Sequence, residues 1–263
     1  MTVLTYLDSY CERAGQAGML AEPLNLFTNG FFILAALLSA RAIARANITG
    51  KTGDLWLLAF FMFAIGIGSG LWHAFPSAST VLMDVIPITL FINAYILSAL
   101  RRLFGLPWPS GRKFLYLIGL TLLPILLADS MSGEPLNAVF AVCFLLQLYV
   151  LRGTVIFYWW LYFTAGIAAQ KLLPPDLLHG TIMYIPTYLA LAVMTVLLRC
   201  REPNIGRVFT LALSVWTLSL LLRTVDLSVC PSLAIGTHFL WHTLNAFVLW
   251  RLLKVLIARA ELK

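Results

Sequence analysis

Three histidines, one serine and one aspartate are the residues of this chain whose types and spacing could do chemistry. The stretch "GSGLWHAFPSASTVLMDVIP", residues 68–87, holds Ser69, His73 and Asp84, and "THFLWHTL" holds His238 and His242. His238 and His242 are one helical turn apart, so both imidazoles leave the same face and can reach one ion. Helical zinc sites use that spacing, and a third imidazole from His73 leaves one position open for water, which separates catalytic from structural zinc. Ser69 lies one turn before His73 on the same face. Asp84 has four readings. It could be a fourth ligand, orient an imidazole, take a proton from water, or merely favour the start of its helix, with Ser79 or Thr80 as the cap. The fourth histidine, His179 in "PPDLLHG", falls in a predicted loop and reads as a surface residue.

The elements that must position these groups are membrane helices. Of 263 residues, 61% are hydrophobic and 11% charged, and the mean hydropathy is +0.91; a soluble domain carries about 25% charged residues. Apolar runs of about 20 residues can cross the hydrocarbon core. They fall near 24–44, 55–74, 80–100, 114–129, 135–151, 154–172, 180–198, 208–224 and 235–257. The fourth and fifth are short and Pro124 interrupts the fourth, which allows a shallow hairpin instead. The expected fold is therefore an all-α, polytopic transmembrane helix bundle of seven to nine spans. It forms a single integral membrane domain over 1–263, with an outer N-terminal segment (1–23), a bundle (24–257) and a cytoplasmic tail (258–263). Residues 1–23 lack the pattern of a cleaved signal peptide, so the first span is expected to direct insertion.

Charge sets the orientation. Arg41, Arg45 and Lys51 follow the first run, Arg101, Arg102, Arg112 and Lys113 the third, and Arg152 the fifth. Arg199, Arg201 and Arg207 follow the seventh, and Arg251, Lys254, Arg259 and Lys263 close the last. The alternate connections are poor in cations and carry Asp129, Glu134, Asp176 and Asp226. The positive-inside rule then puts the N-terminus outside and the C-terminus in the cytoplasm. It also accounts for the net charge of +7 without nucleic-acid binding, for which no basic–aromatic patch argues. In this topology Ser69, His73, Asp84, His238 and His242 share the outer half of the membrane, where ionisable groups are costly and usually functional.

These same stretches resemble a known family. "GIGSGLWHAFPSASTVLMDVIP" is similar to the alkaline ceramidase pattern of a glycine-rich helix end with serine and histidine, followed by an aspartate before a proline. "THFLWHTL" resembles that family's last-helix element, and "AEPLNLFTNGFFI", with Asn25 and Asn29, its first helix. The wider group is the CREST superfamily of membrane hydrolases, which includes progestin and adiponectin receptors and GPI-remodelling lipases. The likeness covers about a third of the chain, at its two ends, and the middle matches in hydropathy alone. The resemblance implies zinc on His73, His238 and His242, with Ser69 and Asp84 as catalytic residues attending the water and the substrate carbonyl. It implies a seven-helix core, which this chain exceeds by a hairpin placed at 114–151. It also implies a disulfide between Cys11 and Cys230, both on the expected oxidising side, while Cys143 and Cys200 read as free thiols.

Calcium-regulated members of the family carry an acidic and amide cluster near the N-terminus. Here Glu12 and Glu22 stand at matching places, but Ser9 and Ala14 replace an aspartate and an asparagine. Two carboxylates could make at most a weak calcium site, since calcium takes six to eight oxygens. The leading expectation is a zinc-dependent hydrolase of the amide bond in ceramide-like lipids, releasing a fatty acid and a long-chain base. A lipid esterase with the same zinc and a receptor-like protein with structural zinc are the alternatives. Haem is disfavoured by the spacing of the histidine pair, and retinal by the position of Lys254, the only lysine of the last span, at its cytoplasmic end. The expected partners are membrane lipids, with no nucleic acid and no obligatory protein. Either a bacterial inner membrane or a eukaryotic endomembrane would suit it.

Overall fold

The computed structural model describes residues 9–262 apart from 17, 129, 175 and 176. Asp8, Asp129 and Asp176 therefore lie outside the described residues. Ten α-helices follow one another: α1 (Pro23–Thr28), α2 (Gly30–Arg45), α3 (Gly53–Ala74), α4 (Ala78–Arg102), α5 (Gly111–Leu127), α6 (Glu134–Leu151), α7 (Val155–Leu172), α8 (Ile185–Arg201), α9 (Pro203–Val229) and α10 (His238–Glu261). A 3₁₀ turn, Thr181–Tyr184, leads into α8. No strand occurs among the described residues.

Seven stretches are long and apolar enough to cross a membrane: Pro23–Arg45, Gly53–Ala74, Ala78–Arg102, Glu134–Leu151, Thr181–Arg201, Pro203–Val229 and His238–Glu261. Large apolar side chains such as Leu37, Phe60, Leu189, Val193 and Leu221 point out of the protein. Such a surface is tolerated in lipid and not in water. The chain is a multi-pass helical membrane protein.

Two compact units make up the fold: one is the chain up to Tyr95 together with that from Gly166 onward, the other Ile96–Ala165. In the first, α10 packs against α9, α2, α1 and α3, with α2 on α3 and α8 on α9. Of the most apolar 18-residue stretches, that of α10 is 56% buried and that of α3 50%. The two helices that carry the histidines are thus the inner ones. In the second unit α5 packs on α6.

Several helix ends differ from the hydropathy reading because hydrogen bonds, not apolarity, set them. The ninth run starts at His238 rather than 235, because Gly236 adopts φ +62 and the Asp226 carboxylate receives the N–H groups of Thr237 and His238. The eighth extends to Pro203–Val229, with Pro203 in the first turn where it loses no bond. The cap of α4 is neither Ser79 nor Thr80. Ser77 takes the Thr80 N–H at 3.2 Å and the Thr80 hydroxyl receives the Ser77 N–H at 2.9 Å, a reciprocal box. Asp84 lies beyond the first turn and caps nothing.

The glycines of "GIGSG" let helices meet at the site. A Cβ on Gly66 would strike Ile33 and the Asn29 carbonyl of the first span, and one on Gly68 would overlap the Met83 carbonyl of α4. Pro87 lies inside α4 and has no N–H for the Met83 carbonyl one turn earlier. Gly68 and Pro87 together therefore bring the Asp84 backbone against the turn that carries Ser69.

Candidate metal centre

His73 ends α3 and His238 and His242 begin α10, and all three are buried. One ligating nitrogen from each falls within 4.8 Å of the other two. The Nε2 atoms of His73 and His242 face each other at 3.2 Å. Two nitrogens on a tetrahedral zinc with bonds of about 2.0–2.1 Å are about 3.3 Å apart.

The outer hydrogen bonds decide what those nitrogens carry. Thr28 Oγ1 donates its only proton to the Leu24 carbonyl at 2.6 Å, so its 3.1 Å contact with His242 Nδ1 is one in which the imidazole donates. His73 Nδ1 donates to Glu22 Oε2 at 2.5 Å. In both neutral imidazoles the proton is thus on Nδ1, and two Nε2 lone pairs point at each other with no proton between them. That arrangement is repulsive alone and fits a cation.

Glu22 is the hub. Its Oε2 also accepts from Asn25 Nδ2 at 2.9 Å, and its Oε1 accepts Arg13 Nε at 2.5 Å. Burial pushes the Glu22 carboxyl up, but hydrogen bonds from His73, Arg13 and Asn25 outweigh it and hold it below the usual carboxylate range. Arg13 is itself only 1% exposed, and donates to the carbonyls of Gln16 at 3.1 Å, Gly18 at 3.4 Å and His73 at 2.6 Å. One guanidinium thus ties the N-terminal segment to the end of α3.

Glu12 does different work. Its two oxygens receive the N–H groups of Leu24 and Asn25 at 2.7 and 2.8 Å, capping α1 from a distance. Burial raises its pKa against those two bonds. Every carboxylate oxygen of Glu12 and Glu22 thus receives at least one N–H donor.

Cys11 and Cys230 form a disulfide with Cα atoms 5.4 Å apart, and Cys143 and Cys200 are free. The Cys11 N–H donates to Asp226 Oδ2 at 3.1 Å, and Asp226 Oδ1 receives Thr237 N–H at 2.6 Å and His238 N–H at 2.9 Å. A side chain on Gly236 would run into this carboxylate and Cys11. The start of α10, and with it His238, is therefore built from α9, the N-terminal segment and a glycine turn.

Ser69 Oγ, Asp84 Oδ1 and His238 Nδ1 are buried without a hydrogen-bond partner among the described residues. Ser69 and Asp84 face each other without a well-formed hydrogen bond, and Arg223 acts on the same carboxylate through space. These orphaned atoms gather at the same end as the paired Nε2 lone pairs. Buried polar groups left unpaired cost about 1–3 kcal/mol each, and a water and a carbonyl group are what an alcohol and a carboxylate there can bind.

Several residues of the site carry no motif signal. The Tyr10 ring lies 4.1 Å from His238 and 4.9 Å from His73 between centroids, and its oxygen accepts from Trp72 Nε1 at 3.2 Å. Burial pushes its phenol pKa up. Arg13, Thr28 and Asp226 likewise join from distant sequence. The buried charge of Arg13 could not be told from a surface charge in a polar N-terminal segment, and Thr28 reads as one more helix residue. His179 is exposed in its loop, as expected.

Compared with known protein families, with curated proteins and with solved structures, the chain matches none.

Proposed function

We propose that the protein is a zinc-dependent intramembrane hydrolase that cleaves the amide bond of ceramide-like lipids to a fatty acid and a long-chain base. The observation that carries the reading is the pair of Nε2 lone pairs at 3.2 Å, closed by His238, beside the unpartnered Ser69 Oγ and Asp84 Oδ1. His73, His238 and His242 would hold the metal. Zinc bound there lowers the pKa of a water toward about 7 and polarises a carbonyl.

The chain's own groups do the rest. Asp84 accepts the proton of the attacking water and returns it to the leaving nitrogen. The Ser69 hydroxyl donates to the carbonyl oxygen as negative charge develops, a role worth about 2.7–4 kcal/mol in soluble hydrolases. Glu22 and Thr28 hold two imidazoles in one tautomer and orientation. The acyl chain lies along apolar helix faces, and the basic loops favour a site in the outer half of the membrane.

The test is lipid profiling of membranes holding the wild type or Asp84→Asn. Wild-type membranes should gain a fatty acid and a long-chain base together, and the variant should not. A lysolipid in place of the base would transfer the same machinery to ester hydrolysis, and identical lipid profiles would overturn the hydrolase reading.

A further inference from the structure

Arg223 is a cation in the membrane-length helix α9 that no part of the chemistry above uses. It stands near the C-terminal end of α9 and is half-buried. Its Nη1 donates to the His179 carbonyl at 2.8 Å and to Thr181 Oγ1 at 3.1 Å. The guanidinium lies 5.7 Å from the Tyr184 ring centre and 5.9 Å from that of Trp241, positions that favour a cation. Trp241 in turn stacks on His238, with ring centres 5.2 Å apart and an interplanar angle of 17°. One indole thus lies against both the guanidinium and His238.

Arg223 acts on the Asp84 carboxylate through space but makes no ion pair with it. Both protein hydrogen bonds use Nη1, and among the described residues no carboxylate lies within ion-pair distance. Asp226, on the next turn, is occupied by three backbone N–H groups. The Nε–Nη2 edge, the fork that takes an oxyanion through two parallel bonds, has no hydrogen-bond partner among the described residues. A charged side chain at membrane depth normally pairs or serves a ligand. The Thr181–Tyr184 turn that anchors Arg223 also walls an apolar cavity of about 240 Å³, lined by Gly166, Ala169, Gln170, Leu173, Ile182 and Met183. A fixed cation with a free fork beside apolar space suits an amphiphile with an acidic head.

We infer that Arg223 is an anion subsite that binds an acidic group, carboxylate, phosphate or sulfonate, on the head of an N-acyl lipid, close to the amide bond. This rests on the reading of the histidine end as a lipid amide site. It narrows the substrate from ceramide-like lipids in general to those with an anionic head.

The test measures equilibrium binding of two matched probes, N-dodecanoylglycine and N-dodecanoylethanolamine, to the purified full chain in detergent. They share the acyl chain and amide and differ in a carboxylate against a hydroxymethyl. The wild type should bind the acid about tenfold more tightly, a modest return for a bidentate charged pair. In Arg223→Gln the two should bind equally, with affinity for the neutral probe unchanged, which also reports that the variant is folded. Should that variant fail to fold, Arg223→Lys is read in its place and should lose most of the preference. Equal binding of the two probes by the wild type, or an undiminished preference in the variant, overturns the subsite. N-acetylglycine, which has the charge without the chain, should bind far more weakly than the dodecanoyl acid. Equal affinity would assign Arg223 to a soluble anion and overturn the lipid assignment. Hydrolysis is followed separately: acid preference without cleavage supports the subsite and counts against the hydrolase, and cleavage without preference does the reverse.

Discussion

The histidine end of the first unit and the α5–α6 hairpin of the second are both helical and apolar, yet they use polar residues in opposite ways. In the hairpin the buried amide of Gln147 donates to Thr121 Oγ1 at 3.1 Å, and Cys143 is buried nearby in sequence. Outward the hairpin presents Leu115, Leu126, Leu145 and Tyr149. Among the described residues, no buried side-chain polar atom of 96–165 lacks a partner. At the histidine end, Glu22, Arg13, Thr28 and Asp226 are fully engaged, while Ser69, Asp84 and His238 keep orphaned atoms. The difference teaches that polar groups in the hairpin only satisfy each other, whereas at the histidine end one layer is satisfied in order to hold another unsatisfied. The second condition is costly in an apolar medium and belongs to a place where a ligand supplies the missing partners.

The sharpest way to break the contrast is to remove the ligands. The double substitution His238→Ala with His242→Ala should abolish metal binding and hydrolysis; elemental analysis of purified protein should fall from about one zinc to none. Stoichiometric metal in that variant would end the proposed centre. Asp84→Asn comes next. It keeps the shape of the side chain, so zinc should stay while hydrolysis falls by about 10²–10⁴, the usual worth of a positioned proton acceptor. Loss of zinc from this variant would recast Asp84 as a ligand or an orienting group. Glu22→Gln removes the charge that orients His73 and leaves Arg13 buried without its partner. Zinc affinity should drop about 10–100-fold, and competition with a chelator would read it; the unpaired guanidinium should cost about 3–5 kcal/mol of stability. Adding Arg13→Met should recover much of that stability without recovering zinc affinity.

Smaller effects sharpen the other side of the comparison. Reducing the Cys11–Cys230 disulfide should lower stability by about 2–4 kcal/mol, seen as a lower unfolding temperature, and peptide mapping without reductant should recover the two cysteines joined. Gln147→Leu in the hairpin should be nearly silent. Intramembrane hydrogen bonds average about 0.6 kcal/mol, and neither zinc content nor hydrolysis should change. A strong loss of zinc in this variant would mean that the hairpin supports the site after all.

Much of the candidate site was legible before any coordinates. His238 and His242 share a face because of the helical repeat alone, and Ser69 and His73 do so for the same reason. Long apolar runs separated by basic and acidic connections specify membrane spans, because hydrocarbon tolerates few charges. Cys11 and Cys230 were paired only through a family resemblance, since no local pattern joins residues 219 apart in sequence. The protonation of the imidazoles was beyond reach: it follows from where the single proton of Thr28 goes and from which oxygen of Glu22 meets His73. The fate of Glu12 and Glu22 was equally hidden, because a carboxylate that caps a helix and one that holds an imidazole read alike as letters.

Local periodicity and hydropathy are properties of neighbouring residues, so the sequence by itself determined the helices, their apolar character and the one-turn spacing within each half of the site. Bringing the end of α3 to the start of α10, filling the layer behind it with Arg13, Glu22 and Asp226, and aiming Arg223 with its fork unpaired depend on contacts between residues far apart in the chain. Only tertiary packing decides those, because such a contact exists only once both helices are in place.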